Sequence, residues 1–400
     1  EPVQMYSCSG AECVADENGI YDHPSCYGNC NVGPTMYSCA EAECIEDPEG
    51  IYNNSNCDWA CVPPQLLGFI ELDDIANTPV PGNSVGDWNT FVNQGATQWN
   101  AEFTSVVVDV NRIEFYGVPQ LNERLVLYPL VGTLNIVSYD FTGFEYVKDL
   151  QLVNVSGLSL FNFTSFPALL QSRTVYTDIV DYTFTTCPDL EKTVIESSTV
   201  TTLDISTCSL LEEFYVVNCP LPDLDFSNNP LLFDITFRQC TGAVNVDLTA
   251  NLALTNLEAS GDFTALDVSN NTLLTSLGVS APNLLALDID NLTALITLNI
   301  EGCTSLTTLD TSNNLSLLIA RVGLSGLLTY DPSSNTTLEW LWINDTAIST
   351  LNVSSNTSLA QLNIRECPIT TIDISANTLL SGFDAGYSDL TTADITDSVS

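Results

Sequence analysis

The sequence has little positive charge. Its 400 residues hold eight Lys or Arg and one His against 50 Asp or Glu, a formal charge of −42. Fifty acids are an ordinary share for this length, so the imbalance is a shortage of bases rather than a loading with acid. With so few bases no patch can neutralise a phosphate backbone, which argues against nucleic acid as a partner. Cations and basic surfaces are the favoured partners, and self-repulsion favours solubility. Long apolar runs are also missing, and with them any membrane-spanning helix. The single histidine, His23, lies between cysteines and reads as a solvated loop residue. Nucleophile elbow, phosphate loop and metal triad are all absent, so the sequence reads as non-enzymatic. Acids are plentiful enough to leave a carboxylate-pair hydrolase formally open, but nothing places two of them in a pocket. The chain starts at Glu1 rather than Met. That start fits a secreted product whose signal peptide has been removed.

Cysteine is not scarce. Two copies of one motif open the chain, 31 residues apart: Cys8, Cys13, Cys26 and Cys30, then Cys39, Cys44, Cys57 and Cys61, each spaced Cys-x4-Cys-x12-Cys-x3-Cys. A unit that small cannot fold on apolar burial alone. Two disulfides per module are the expected staple and imply an oxidising compartment. Zinc competes, although structural zinc sites prefer tighter Cys-x2-Cys pairs than these. Four cysteines allow three pairings per module, and the spacing does not choose among them. The modules occupy 1–31 and 32–63. Residues 64–111 follow as linker and solenoid cap: Pro63-Pro64 as a stiff joint, a strand over Leu66–Ile75, and a short helix with Asp87 at its N-cap.

From 112 to 400 a repeat of about 21 residues decides the fold. Leu-Asp-Val-Ser-Asn-Asn-Thr begins at Leu266, and Asp267, Asp288, Asp310, Asp331, Asp373 and Asp394 mark successive copies, with Asn352 in the same series. Leu359-x-x-Leu362-x-Ile364-x-x-Cys367 is followed by Ile369-x-x-Ile372-x-Ile374-x-x-Asn377, so each coil carries two copies of one phrase. The alternation within each phrase is a strand signal with apolar residues inward. It predicts a mainly β solenoid with two parallel sheets. The pattern resembles the bacterial secreted leucine-rich repeat family built on Leu-Asp-Val-Ser-x-Asn-Thr-x-Leu. That resemblance implies an extracellular or cell-surface location and a binding or scaffolding role. It is strong from Leu203 onward and fades before it, where Thr183 and Asn162 stand at the anchor position and the spacing around 131–152 is irregular.

Two internal ladders are expected. Asn229, Asn251, Asn271, Asn314, Asn335, Asn356 and Asn377 recur at one turn, where side-chain amides satisfy buried backbone groups. Cys187 and Cys208 continue that column, and Cys219, Cys240, Cys303 and Cys367 occupy the other turn as small buried thiols. Neighbouring coils are within disulfide reach, but free thiols are the simpler expectation.

The outward faces differ. One repeats Thr-Asp-Ser, as in Thr308-Asp310-Ser312. Carboxylates stacked about 5 Å apart repel by roughly 1 kcal/mol per pair in water. No cofactor is required, but Asp267, Asp288, Asp310, Asp331, Asp373 and Asp394 form a candidate calcium column. Local satisfaction by turn amides and hydroxyls is the preferred reading. The Thr columns make ice binding a remote alternative. The other face is variable and holds half of the chain's bases. Trp340, Trp342, Arg321, Arg365, Asn344, Tyr215 and Arg238 are its candidate ligand-binding residues, because exposed Trp and Arg anchor recognition surfaces. Candidate glycosylation acceptors are Asn53, Asn154, Asn162, Asn291, Asn344 and Asn352.

Two functions follow. The first is a structural subunit of a fibre or surface layer, joined head-to-tail to copies of itself. An unfinished half-coil at Ser400 would leave strand edges open to another chain. The alternative is an adhesin that binds a glycan or surface protein on the variable face.

Overall fold

The computed structural model describes residues 6–9, 12–15, 37–40, 43–46, 65–72, 103–109, 112–117, 124–127 and 134–394, the last span without 222 and 242–245. They form two compact units, 1–178 and 179–400.

In the first unit each cysteine motif opens with a two-stranded antiparallel hairpin. Tyr6–Ser9 pairs with Glu12–Ala15 and sets Cys8 opposite Cys13, and Tyr37–Ala40 pairs with Glu43–Glu46 and sets Cys39 opposite Cys44. Cys26, Cys30, Cys57 and Cys61, and the sulfur atoms of all eight, lie outside the described residues, as do Asn53 and the stretch around Asp87. The strand expected over Leu66–Ile75 forms as Gln65–Leu72. It runs antiparallel to Arg112–Gly117 on one side and to Leu134–Asp140 on the other, and Phe103–Asp109 extends the sheet. The irregular spacing around 131–152 follows from this, since Leu134–Asp140 pairs antiparallel with Gln65–Leu72 as well as in parallel with Val155–Ser156. Phe141, Phe144, Phe161 and Phe166 pack ring to ring below it, with centroids 5.5 to 6.3 Å apart. Arg124–Leu127, Asp149–Val153 and Gln171–Val175 then pair in parallel as solenoid strands.

The second unit is the regular solenoid. Its front sheet holds the parallel strands Lys192–Glu196, Glu213–Val217, Asp234–Arg238, Asn256–Ser260, Ser276–Ser280, Thr297–Asn299, Ile319–Arg321, Trp340–Trp342, Gln361–Asn363 and Gly382–Asp384, paired in sequence order. Register advances one coil at a time, with Ile319 opposite Trp340 and Trp340 opposite Gln361. Leu298, Ile300, Ala320, Val322, Leu341 and Ile343 alternate inward and are fully buried. Each buried Leu or Ile of this kind contributes about 1.5–3 kcal/mol of transfer energy. The back face pairs in short pieces: Asp181–Thr183 with Thr202–Asp204, Leu224–Asp225 with Val246–Asp247, and Thr371–Asp373 with Thr392–Asp394. Between Leu266 and Val353 the same phrase runs along the back without strand pairing.

The asparagine ladder closes each coil against the one before. Asn314 Nδ2 donates to the carbonyls of Ile289 and Leu292 at 3.0 and 2.9 Å, and Asn335, Asn356 and Asn377 repeat the pattern. All seven ladder asparagines are fully buried. Leu292 occupies the missing rung between Asn271 and Asn314, which an apolar residue hides from any search for Asn.

The opposite turn uses left-handed backbone. Ser197, Asn218 and Gln239, and later Leu324, Asp345, Glu366 and Tyr387, have φ between 48 and 60°. Their amides reach across to the following coil, as Asp345 N does to Arg365 O at 2.9 Å and Glu366 N to Gly386 O at 2.9 Å.

Replacing Asn314 by Ala removes two buried donors and is expected to cost about 1–3 kcal/mol. Thr308→Ala, at an exposed back-face site, is expected to leave the urea midpoint unchanged. Tryptophan fluorescence during urea unfolding measures both, and equal losses would contradict the role assigned to the ladder.

Candidate recognition face

Outward side chains on the front sheet stack coil on coil about 4.8 Å apart. One column reads Ser276, Thr297, Ile319, Trp340, Gln361 and Gly382, and the adjacent one Gly278, Asn299, Arg321, Trp342, Asn363 and Asp384. Trp340 and Trp342 share a strand and one outward direction. Their rings lie 6.3 Å apart between centroids and 20° from parallel, an offset pair. Trp340 is 37% exposed. The Arg321 guanidinium sits over the Trp342 ring at 4.5 Å, within cation–π range. Its Nε is buried without an acceptor. Arg365 lies over Tyr387 at 4.7 Å and pairs with Glu366 at 3.2 Å. Asn344 is half-buried, and its Nδ2 donates to Asp345 Oδ2 at 2.9 Å.

The other two candidates, Tyr215 and Arg238, belong to a separate cluster five strands earlier. Tyr215 Oη donates to Asp234 Oδ2 at 2.6 Å, and Asn256 Nδ2 donates to Asp234 Oδ1 at 2.7 Å. Lys192 pairs with Glu213 at 2.5 Å and lies 5.2 Å above the Tyr215 ring. Arg238 pairs with Glu258 at 3.2 Å. Burial first, and then the Asp234 carboxylate, push the Tyr215 hydroxyl well above its ordinary pKa. These residues line a shallow cleft of about 310 Å³. Both of its bases are paired, Lys192 with Glu213 and Arg238 with Glu258. Lys192 and Glu213 hold outward positions of the alternating strand pattern, which the sequence shows. Glu258, Asn256, Asn299 and Tyr387 were missed: Asn299 carries the same Leu-Asn-Ile signal as Asn363, whereas Tyr387, 82% exposed, depends on a left-handed turn that leaves no periodic trace.

The back-face aspartates are exposed and turned onto their own chain. Asp267 Oδ1 accepts from Ser269 N at 2.9 Å and from its hydroxyl at 2.6 Å, and Asp373 does the same with Ser375. Asp288, Asp310 and Asp331 accept from the amides of Asp290, Ser312 and Ser333 at 2.8 to 3.0 Å. The hydroxyl and amide of Ser269 hold the Asp267 carboxyl below the usual range, and those of Ser375 do so for Asp373. Asp394 closes the series on the last described strand. Among the described residues no group of three acidic, His or Cys side chains gathers as a cation cage.

Asn162, Asn291 and Asn352 are exposed, while Asn154 and Asn344 are half-buried. Asn162 Oδ1 caps a short 3-10 turn by accepting from Thr164 N at 3.1 Å. Asn352 Oδ1 accepts from Ser354 N at 3.0 Å.

The six solenoid cysteines are buried free thiols. Cys367 Sγ donates to Ile343 O at 3.0 Å and Cys303 Sγ to Val279 O at 3.4 Å. Burial pushes Cys187 and Cys240 up to about 11 and Cys208 to about 12.

This geometry is that of a leucine-rich repeat solenoid. No protein-family model matches the chain, and no curated protein matches it. Among solved structures it is similar to the functional domain of InlJ from Listeria monocytogenes, which includes a cysteine ladder. The TM-score is 0.51 and the identity 23%, over 56% of this chain and 50% of that one. An internalin (inlF) from Listeria monocytogenes aligns at TM-score 0.56 and 17% identity, over 81% of this chain and 98% of that one. A leucine-rich repeat protein of Leptospira interrogans aligns at 0.54 and 14%, over 63% and 69%. The chain thus spans about half the length of the InlJ domain. Likeness at these identities is likeness of fold.

The lowered Asp267 pKa has a definite sign. Its stabilisation is full above the ordinary Asp value, about 3.9, and is lost as pH falls through the lower folded value. The melting-temperature gap between wild type and Asp267→Ala should therefore be constant from pH 7 to about 5 and close below about 4. A gap that persists at pH 2 would overturn the capping role. For the thiols, native protein at pH 8.5 is expected to take up no alkylating reagent at Cys187, Cys208 or Cys240, and urea-unfolded protein to take it up at all three. Peptide mass mapping reads the difference, and rapid native labelling would contradict their burial.

Proposed function

We propose that the chain is a non-enzymatic extracellular recognition scaffold that holds a partner on the front face of its solenoid. The observation that carries this reading is the contrast between the two faces. The back repeats one self-satisfied Asp-Ser arrangement. The front changes from coil to coil and presents the Trp340–Trp342 pair beside a guanidinium. Aromatic and arginine side chains in that setting supply most of the energy of typical interfaces. The likeness to solved leucine-rich repeat proteins supports a scaffold by analogy of fold alone. Twin N-terminal hairpins that set Cys8 against Cys13 and Cys39 against Cys44 support an oxidising location. Head-to-tail self-association, the other expectation, involves the final half-coil, and residues 395–400 lie outside the described residues.

The test is an array of extracellular proteins and glycans probed with the full chain. Any ligand bound by the wild type is expected to lose at least about tenfold in affinity with the Trp340→Ala, Trp342→Ala double variant, a loss of about 1.4 kcal/mol. Asp310→Ser, Asp331→Ser on the back face should bind as wild type. Binding that survives the front-face change and disappears with the back-face change would sink the proposal.

A further inference from the structure

We propose that the cluster of Arg321, Trp342 and Trp340, with Asn299 and Asn363 beside it, is a binding site for an acidic glycan, in which Arg321 takes a sugar carboxylate. The proposal rests on the front-face reading above and assigns that face a ligand class.

Four bases lie on the front face of the second unit. Lys192, Arg238 and Arg365 each pair with a carboxylate. Arg321 has no carboxylate partner among the described residues. Its Nε lacks an acceptor, and its guanidinium lies over the Trp342 ring. In a chain with 50 acids and eight bases, a guanidinium without a counter-ion is conspicuous, because a stacked arginine normally presents its fork to a carboxylate. Stacking holds the fork in place before any ligand arrives, which lowers the ordering cost of binding. Glu366 pairs with Arg365, Asp345 accepts from Asn344, and Asp384 accepts from the Gly386 amide.

The same column supplies further donors. Asn299 Oδ1 accepts from Glu301 N at 3.0 Å, and Asn363 Oδ1 accepts from Arg365 N at 2.9 Å. These bonds fix the amide orientation, since a flipped amide would set N–H against N–H. Each Nδ2 is then left without an acceptor among the described residues. Asn299, Arg321, Trp342 and Asn363 are consecutive in register. The Asn299 and Asn363 oxygens are spent on their own chain, so the groups this row leaves for a ligand are donors, and it spans roughly 14 Å at strand spacing. Such a row selects a flat, acceptor-rich anion.

A sugar fits better than a peptide. The front-strand amides and carbonyls are spent on the inter-coil ladder, so an extended peptide cannot add as a strand. Ile319 is the one aliphatic outward residue in these two columns from Ser276 to Asp384, so an apolar peptide anchor has little to fill. The two offset indoles instead offer a broad surface to the C–H faces of sugar rings.

Isothermal titration of the full chain with uronate oligosaccharides (hyaluronate, alginate and polygalacturonate hexamers), each beside its carboxyl-reduced form, tests this. At least one uronate is expected to bind at least about tenfold tighter than its reduced form, as a charge-assisted pair requires. Arg321→Gln should abolish that difference while leaving the weak binding of the reduced form intact. Asn299→Asp keeps an oxygen for the Glu301 amide but places a carboxylate one coil from Arg321. It should also weaken uronate binding, and it serves if Arg321→Gln fails to fold. The proposal is overturned if no uronate binds, if the reduced sugars bind equally well, or if a Glu-rich peptide binds at Arg321 while uronates do not. A protein ligand on the array that depends on Trp340 and Trp342, with no uronate binding, would overturn the glycan assignment and leave the recognition face standing. Ligands that bind only through the back face would overturn both.

Discussion

Each coil of the solenoid must pair the carbonyls buried at its turn, and the rest of the fold depends on how it does so. A tight turn inside an apolar core has no water to offer, and an unmet polar group there costs as much as a lost hydrogen bond. The asparagine amide meets this need by reaching back one coil, as Asn356 does to Pro332 and Asn335. Because the donor comes from the following repeat, each coil is complete only when its neighbour is in place. Stability in such arrays is carried by nearest-neighbour interfaces. The front strands inherit their register from that spacing, and the outward columns inherit theirs from the strands.

The two faces apply one device to opposite ends. A short side-chain oxygen accepts the amide two residues on, with Asp267 and Asp310 on the back and Asn299 and Asn363 on the front. The backbone is served equally well by either residue. The atom left over is a negatively charged oxygen where the residue is Asp, as on most of the back, and an amide donor where it is Asn, as at Asn299 and Asn363. A change from Asp to Asn therefore alters what a face presents to solvent and leaves the turn beneath it unchanged. That separation allows a heavily acidic chain to maintain a neutral-to-positive strip around Arg321.

Much of the architecture was legible because it is periodic. The Leu359 to Asn377 phrases revealed coil length, inward residues and the asparagine column directly, and the structure bears them out. The strand Gln65–Leu72 was also legible, as an apolar run. Its partners, Arg112–Gly117 and Leu134–Asp140, were not, since antiparallel pairing across so long a stretch of chain leaves no rhythm. Leu292 was missed as a ladder position because the ladder was sought by residue type. The candidate site was legible as a set of outward positions, but its division into two clusters was not. Distance along a solenoid is counted in coils, and the charge pairing that closes the Tyr215 cluster and leaves Arg321 open depends on contacts between coils.

The left-handed turn residues bear on how such a surface changes over time. Glycine fills that conformation without strain, and Gly302 does so once, at φ 92°. Elsewhere the position is held by Ser, Asn, Gln, Leu, Asp, Glu and Tyr, each at a cost of order 1 kcal/mol. Their backbone task is the same in each coil that uses one, so the side chain is free to differ. Several are exposed, and Tyr387 already carries Arg365 against its ring. The rim of the front face is therefore a string of sites where substitution alters surface chemistry without disturbing the core. A glycine at each would give a firmer solenoid with a blank border, and the chain keeps the strain in exchange for a border that can diversify one coil at a time.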